Sequence, residues 1–142
     1  MGGKILTNSP FRKGDLLSIE LNNKYGACIV LQHEQNSPQG LTLLLILDYN
    51  ENKKIKTSNV KTLYCLMKEN YYMGLSPYIV YCNAIEFRRK QHEYIKSGEI
   101  KIKKIYEIDE DLYPHMHWDS IVQKIESYDR DIEEKVRVSE ML

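Results

Sequence analysis

The pattern of apolar and polar positions predicts a β-hairpin near the start of the chain. Within residues 15–21, apolar side chains alternate with polar ones from Leu17 to Leu21, which is the period of a half-buried strand. Residues 25–32 predict a second strand, and the Asn-Asn-Lys sequence between the two predicts a turn because Asn tolerates a positive φ. Gly26, inside the second strand, indicates a bulge or a close approach of another part of the backbone.

Further apolar segments predict the remaining strands of a sheet. Residues 41–49 are the most apolar part of the chain, and their length and flanking turn residues predict a strand buried on both faces at the centre of the sheet. Residues 60–67, 78–82 and 99–108 predict other strands, the last with a bulge near its lysine pair. Residues 86–95 fit either a short amphipathic helix or an extended connection.

The period of the apolar residues changes in the last part of the chain. From Trp118 to Val136 these residues recur at spacings of three and four, which predicts an amphipathic helix covering one face of the sheet. An interruption of this helix at Tyr128-Asp129 is an alternative.

Together these elements predict a single α+β domain over residues 1–142. A strongly twisted or barrel-like antiparallel β-sheet, about residues 14–108, is followed by a C-terminal amphipathic helical segment, about residues 117–138. The hydrophobic share of 42% and the net charge of zero argue against disorder, because the chain has enough apolar surface to form a core.

Composition and charge exclude several classes of function. The 20 Lys and Arg residues balance the 20 Asp and Glu residues, so we expect no general nucleic-acid binding, which needs an excess of cations. No apolar run approaches the roughly 20 residues that cross a bilayer. The N-terminal residues lack the long apolar region of a secretory signal. We therefore expect a cytoplasmic protein that does not associate with membranes.

The residue types that most often carry metal or nucleophilic chemistry do not form a recognised motif. Cys28, Cys65 and Cys82 each lie in an apolar run, which is typical of reduced, buried cysteines. His115 and His117 have a spacing that suits a metal on a strand. They precede a helix start, however, and no further ligand follows at a known motif spacing. We therefore predict no metal, no other cofactor and no catalytic residues.

Charge is distributed unevenly along the chain. Residues 86–104 carry seven Lys and Arg residues against three Glu, whereas residues 107–134 carry ten acidic residues against Lys124 and Arg130. Such an acidic patch can steer association with a cationic partner, although a solvated helix face would explain part of the acidity. The tyrosines of residues 71–81 are a second candidate, since exposed Tyr is favoured at protein interfaces. The alternative is a sheet surface, because Tyr also favours strands.

The candidate partner-binding residues are therefore acidic side chains of this segment and two adjacent tyrosines. They are Asp109, Glu110, Asp111, Glu126, Asp129, Asp131, Glu133, Glu134, Tyr71 and Tyr72.

The opening of the chain resembles a known family. The run Phe-Arg-Lys-Gly-Asp at 11–15, an apolar strand, a polar turn and then Tyr-Gly at 25–26 with a second strand resemble immunity protein family 26. Members of this family are bacterial proteins encoded beside polymorphic secreted toxins. Residues 76–80 and 97–102 are looser matches, and the resemblance spans about residues 11–104. It implies a single-domain, non-enzymatic protein that binds and neutralises a cognate toxin.

Two other functions remain open at this point. The Lys-Gly-Asp at 13–15 also looks like the start of the MazF/PemK endoribonuclease toxins, in which an Arg-Pro pair precedes the second strand and the Arg serves catalysis. This chain has no Arg or Pro between Asn22 and Leu31, so the ribonuclease interpretation ranks second. An uncharacterised regulatory binding module is the third.

Overall fold

The computed structural model describes residues 11–34, 40–70 and 74–142, and its centre is a five-stranded antiparallel sheet. In chain order the strands are β1 (Asp15–Glu20), β2 (Tyr25–His33), β3 (Leu41–Glu51), β4 (Met67–Asn70), β5 (Gly74–Pro77), β6 (Ile79–Asn83) and β7 (Tyr94–Glu99). The helices are α1 (Ala84–Arg89) and α2 (Trp118–Glu126), with short 3₁₀ turns at Thr57–Thr62, Gln91–Glu93 and Val138–Met141. The main sheet has the order β6-β3-β2-β1-β7, and β4 and β5 form a separate two-stranded sheet.

The pairing of β1 with β2 confirms the predicted hairpin. Asn23 in the turn has a φ of 65°, which is the left-handed conformation that Asn tolerates. The register of β2 against β3 shifts next to Gly26, and a Cβ atom on this glycine would lie 3.0 Å from the side chain of Ile125 in α2. Gly26 is therefore at a bulge, and the close approach is that of a side chain.

Two apolar layers cover the two faces of the main sheet. One face packs against both helices through Phe87, Trp118, Ile121 and Ile125. The other face packs against irregular segments that contribute Ile55, Val60, Tyr106 and Val138. The core is thus built from α1 and α2 on one side and from loops and 3₁₀ turns on the other.

The strand β3 confirms the prediction of a strand buried on both faces. Leu44 and Ile46 belong to the helical layer, whereas Leu43 and Leu45 belong to the opposite layer. β3 is an interior strand, although β2 is the middle one. Cys28, Cys65 and Cys82 are free and buried, as predicted.

The sheet differs from the prediction in its closure and in two of its strands. β6 and β7 are its edges in the part of the chain described, so the sheet is open and the barrel-like form is not observed. The first part of 60–67 belongs to a 3₁₀ turn, and the strand expected at 99–108 ends at Glu99 instead. There the chain leaves the sheet after the Ile100 N–H donates to the carbonyl oxygen of Gly14 at 2.7 Å.

The C-terminal helix is shorter than expected, since it ends at Glu126 and not at about residue 138. Residues 127–137, which we call the strap, are not helical: the chain turns at 127 and again at 130–131, and the end of the strap pairs with another segment. The Cys65 N–H donates to the carbonyl oxygen of Val136 at 2.8 Å, and the Val138 N–H donates to that of Leu63 at 3.0 Å. These tertiary hydrogen bonds hold the end of the strap extended.

Candidate functional site

The strap is fastened to the sheet by side chains as well as by its backbone. The hydroxyl of Tyr128 accepts the N–H of Met67 at 3.2 Å, and the Nε of Arg130 lies 3.1 Å from Oδ1 of Asp48. Burial raises the pKa of Asp48 above its usual value, and the positive charges of Arg130 and Lys135 oppose this rise. Arg130 therefore offsets part of the cost of burying this carboxylate.

The other cations of the strap lie against an aromatic ring. The Nζ of Lys135 is 5.4 Å from the centre of the Tyr64 ring, and the guanidinium of Arg137 is 4.9 Å from it. Both distances allow a cation–π interaction. All three cations of the strap are thus engaged with groups of the sheet or its adjoining segment, which sequence reasoning did not predict.

The candidate acids of this region, in contrast, are exposed. Asp129, Asp131, Glu133 and Glu134 are exposed, and among the described residues none of them forms an ion pair with Lys or Arg. A carboxylate oxygen of Asp129 accepts the backbone N–H of Asp131 at 3.0 Å, and one of Glu126 accepts that of Asn22 at 3.4 Å. We call Asp129, Asp131, Glu133 and Glu134, together with Glu126 at the end of α2, the acidic strap surface.

The remaining acidic candidates form a second group in a turn. Oδ1 of Asp109 accepts the N–H of Asp111 at 2.9 Å, and Oε1 of Glu110 lies 2.8 Å from Nε2 of His115. No hydrogen bond or ion pair between described residues joins this turn to the acidic strap surface. By their contacts, the acidic candidates therefore fall into two groups. Tyr71 and Tyr72, the tyrosine candidates, lie outside the described residues.

The two histidines that suggested a metal site have different carboxylate partners. His115 pairs with Glu110, whereas Nδ1 of His117 lies 3.3 Å from Oε2 of Glu86. No group of three or more His, Cys, Asp or Glu side chains suited to a metal ion is found within 11–34, 40–70 and 74–142. The imidazoles instead belong to two local polar contacts.

A groove of about 510 Å³ runs beside the acidic strap surface. Its walls come from three parts of the chain: the β4–β5 hairpin, the segment before α2, and the end of α2 with the strap. The lining side chains are mostly apolar, with charges at the rim. They are Leu66, Met67, Lys68, Glu69, Leu75, Tyr78, Pro114, Met116, Lys124, Ser127, Tyr128, Asp129 and Ile132.

Sequence reasoning did not find this groove, because its walls lie far apart along the chain. Leu75 and Met116 are half-buried, as are Tyr128 and Ile132, so apolar surface remains accessible there. The hydroxyl of Tyr78 donates to the sulfur of Met116 at 3.4 Å. This hydrogen bond links Tyr78 to the segment before α2. The groove therefore has an apolar floor, and one end of it lies beside Asp129 of the acidic strap surface.

Comparisons of the chain with protein-family models, with curated proteins and with solved structures found no match. The resemblance to immunity protein family 26 therefore rests on the quoted sequence runs alone. No helix in the described ranges is long and apolar enough to span a membrane.

Proposed function

We propose that this chain is an immunity protein that acts in the cytoplasm by binding a cognate bacterial toxin domain, without catalysing a reaction. The observation that supports the proposal best is the acidic strap surface. The strap's cations are engaged with Asp48 of β3 and with the ring of Tyr64, and among the described residues none of the strap's carboxylates forms an ion pair with Lys or Arg. The resemblance of residues 11–104 to immunity protein family 26 supplies the class of partner.

The physical basis of binding is electrostatic complementarity. Exposed charges of one sign raise the rate of association with an oppositely charged surface and fix the orientation of the encounter. A toxin domain that acts on nucleic acid carries cationic side chains for the phosphates. The carboxylates of the acidic strap surface would occupy those cations and so exclude the substrate.

The first experiment is co-expression with the toxin domain encoded beside this chain. We expect the chain to restore growth and to co-purify with the toxin domain. Purified protein should also leave total RNA intact, whereas a MazF/PemK endoribonuclease would cleave it. Loss of both protection and co-purification, or cleavage of RNA by the purified protein, would contradict the proposal.

The second experiment measures the role of charge with a matched control. The double variant Glu133→Lys/Glu134→Lys should slow association with the toxin domain by roughly tenfold or more at low salt, because rim charges act mainly on the association rate. The difference should shrink as salt screens the charges. The control Glu20→Lys/Glu51→Lys changes net charge equally at two exposed positions of the sheet. Equal association rates for the two double variants would exclude the strap as the docking face.

A further inference from the structure

We infer that the groove between the β4–β5 hairpin and the strap receives an apolar or aromatic side chain of the partner protein that is flanked by Lys or Arg. This inference rests on the proposed function and specifies where the partner is anchored. The occupant of the groove is a protein segment with one apolar side chain and adjacent positive charge.

The chemistry of the groove floor favours an apolar anchor. Leu75, Met116, Tyr128 and Ile132 are half-buried and converge from three walls, while Leu66, Met67 and Tyr78 lie buried beneath them. Two of these side chains are methionines, which adapt their shape to a bound group. A volume of about 510 Å³ lies within the range of roughly 300–1,000 Å³ that is typical of ligand sites.

The surroundings of the groove favour a cationic flank. At the rim itself the charges balance, since the lining includes Lys68 and Lys124 as well as Glu69 and Asp129. Beyond the rim lie the exposed carboxylates of Glu126, at the end of α2, and of Asp131, Glu133 and Glu134 in the strap. The three cations of the strap are already engaged, Arg130 with Asp48, and Lys135 and Arg137 with the ring of Tyr64. An occupant with Lys or Arg beside its apolar side chain therefore meets opposite charge, and an acidic occupant meets like charge.

Protein interfaces commonly combine a buried anchor with a charged rim, as in this arrangement. A few large side chains buried in pockets carry most of the affinity, while the charged rim controls association and specificity. The groove would hold the anchor, and the acidic strap surface would orient it. Groove substitutions should therefore raise the dissociation rate, whereas strap substitutions should lower the association rate.

The test of the groove itself uses three synthetic peptides and the full chain. The peptides carry Lys-Trp-Lys, Glu-Trp-Glu or Lys-Ala-Lys between identical Gly-Ser flanks, and binding is followed by methyl and amide NMR shifts. We expect Lys-Trp-Lys to bind at least fivefold more tightly than the other two, with the largest shifts at Leu75, Met116 and Ile132. Equal binding of the three peptides, or shifts that fall outside the groove, would overturn the inference.

Variants of the groove provide the second arm. Leu75→Asp and Ile132→Asp should each weaken binding of Lys-Trp-Lys at least tenfold, and the milder Leu75→Ala and Ile132→Ala serve if an Asp variant does not fold. Ile105→Asp is the control, because Ile105 is 85% exposed and does not line the groove. Unchanged binding in folded groove variants, within twofold of the control, would overturn the inference.

The same variants distinguish this inference from the proposed function. If the wild-type chain protects cells from the co-encoded toxin domain and the groove variants protect equally well at matched expression, the groove inference fails and the immunity function stands. If the wild-type chain does not protect, the immunity function fails.

Discussion

The carboxylate of Glu86 accepts the backbone N–H of Trp118 at 2.6 Å, and so the first helix caps the second. The residue before α2, His117, provides no side-chain cap of its own, and the imidazole of His117 lies against the same carboxylate. A negative charge at this end also interacts favourably with the helix dipole. Glu86 therefore sets the position at which α2 begins, from a different part of the chain.

Replacing Glu86 by Ala should destabilise the protein by about 0.5–2 kcal/mol, the range measured for lost helix caps. The loss should be smaller for Glu86→Gln, which keeps an oxygen acceptor and removes only the charge. Lys90→Ala is the matched control, because Lys90 joins the two helices through an exposed ion pair with Asp119, and such pairs add little stability. Urea unfolding followed by circular dichroism measures all three; a larger loss for Lys90→Ala than for Glu86→Ala would refute the capping role.

The Gly-Asp of the opening motif has a structural role that can be tested separately. Gly14 has a φ of +96°, and a Cβ atom there would lie 2.4 Å from the carbonyl oxygen of Ile100. Asp15 is buried and accepts the N–H of Arg12 through Oδ2 at 2.9 Å. The start of β1 is tied to β7 and the chain that follows it, because Oδ1 of Asp15 lies 3.2 Å from Nζ of Lys96 and the Ile100 N–H donates to the carbonyl oxygen of Gly14 at 2.7 Å.

Gly14→Ala should therefore cost more than about 2 kcal/mol, since a left-handed backbone and a steric overlap both oppose it. Gly74→Ala is the control, because Gly74 also has a positive φ (+74°) but a Cβ atom there meets no atom of the described residues within 4 Å. That variant should lose only the roughly 1–2 kcal/mol of the backbone term. Thermal unfolding of the two variants measures the difference, and equal losses would show that the overlap with Ile100 is relieved at no cost.

The sequence pattern predicted the strands with a clear period and failed where distant groups decide the structure. The β1–β2 hairpin, the doubly buried β3 and the three buried cysteines follow from local alternation and apolar runs. Tyr128, Ile132 and Val136 have helical spacing, yet the chain turns after α2, and Leu63 and Cys65 supply backbone partners to the segment around Val136. No local pattern contains those partners.

In the candidate site, too, the sequence predicted the local features but not those that depend on distant residues. The acidic segment was evident from charge counting, but the sequence did not indicate which carboxylates would be unpaired. The structure separates them because Glu110 has His115 as a partner, whereas Arg130 is engaged with Asp48 and leaves Asp129 and Asp131 without an arginine. The groove was not predicted because its three walls come from distant segments.

The attachment of the strap can be measured at Tyr128. Tyr128→Phe removes the acceptor of the Met67 N–H, and an unsatisfied buried donor costs about 1–3 kcal/mol. Since this site is only partly buried, we expect about 1 kcal/mol and faster amide exchange at Met67. Tyr64→Phe is the control, because it keeps the ring that Lys135 and Arg137 contact. Unaltered exchange at Met67 in Tyr128→Phe would show that the hydroxyl does not hold the strap.

The cysteines should be unreactive in the folded protein. Burial, with a smaller effect of Glu140, raises the pKa of Cys65 to about 12, and burial, followed by the charge of Glu86, raises that of Cys82 to about 12. Burial also raises the pKa of Cys28. Because the thiolate is the reactive form, we expect no labelling by a disulfide reagent at pH 8 within minutes, and complete labelling in denaturant. Rapid labelling of any of the three in native conditions would contradict their buried positions.

Alkaline pH should destabilise the protein through its buried tyrosines. Burial raises the pKa of Tyr94 to about 12, and burial likewise raises the pKa values of Tyr78 and Tyr106. The folded state therefore keeps these protons where the unfolded chain, with a Tyr pKa near 10, releases them. The stabilisation is complete below pH 10 and is lost as pH rises from about 10 towards 12, because the unfolded state then binds fewer protons.

The melting temperature should therefore begin to fall at about pH 8.5, where the three buried thiols would ionise in the unfolded chain, and fall more steeply above about pH 10, where the tyrosines add to the loss. Tyr94→Phe should flatten this fall, at the cost of the hydrogen bond that the Tyr94 hydroxyl donates to the carbonyl oxygen of Phe87 at 3.1 Å. Tyrosinate absorbance at 295 nm, recorded during the same titration, reports the ionisation of the tyrosines. The part that comes from the buried rings should appear only when the protein unfolds. A melting temperature that stays constant to pH 11, or an identical fall in Tyr94→Phe, would mean that Tyr94 ionises in the folded state as readily as in water.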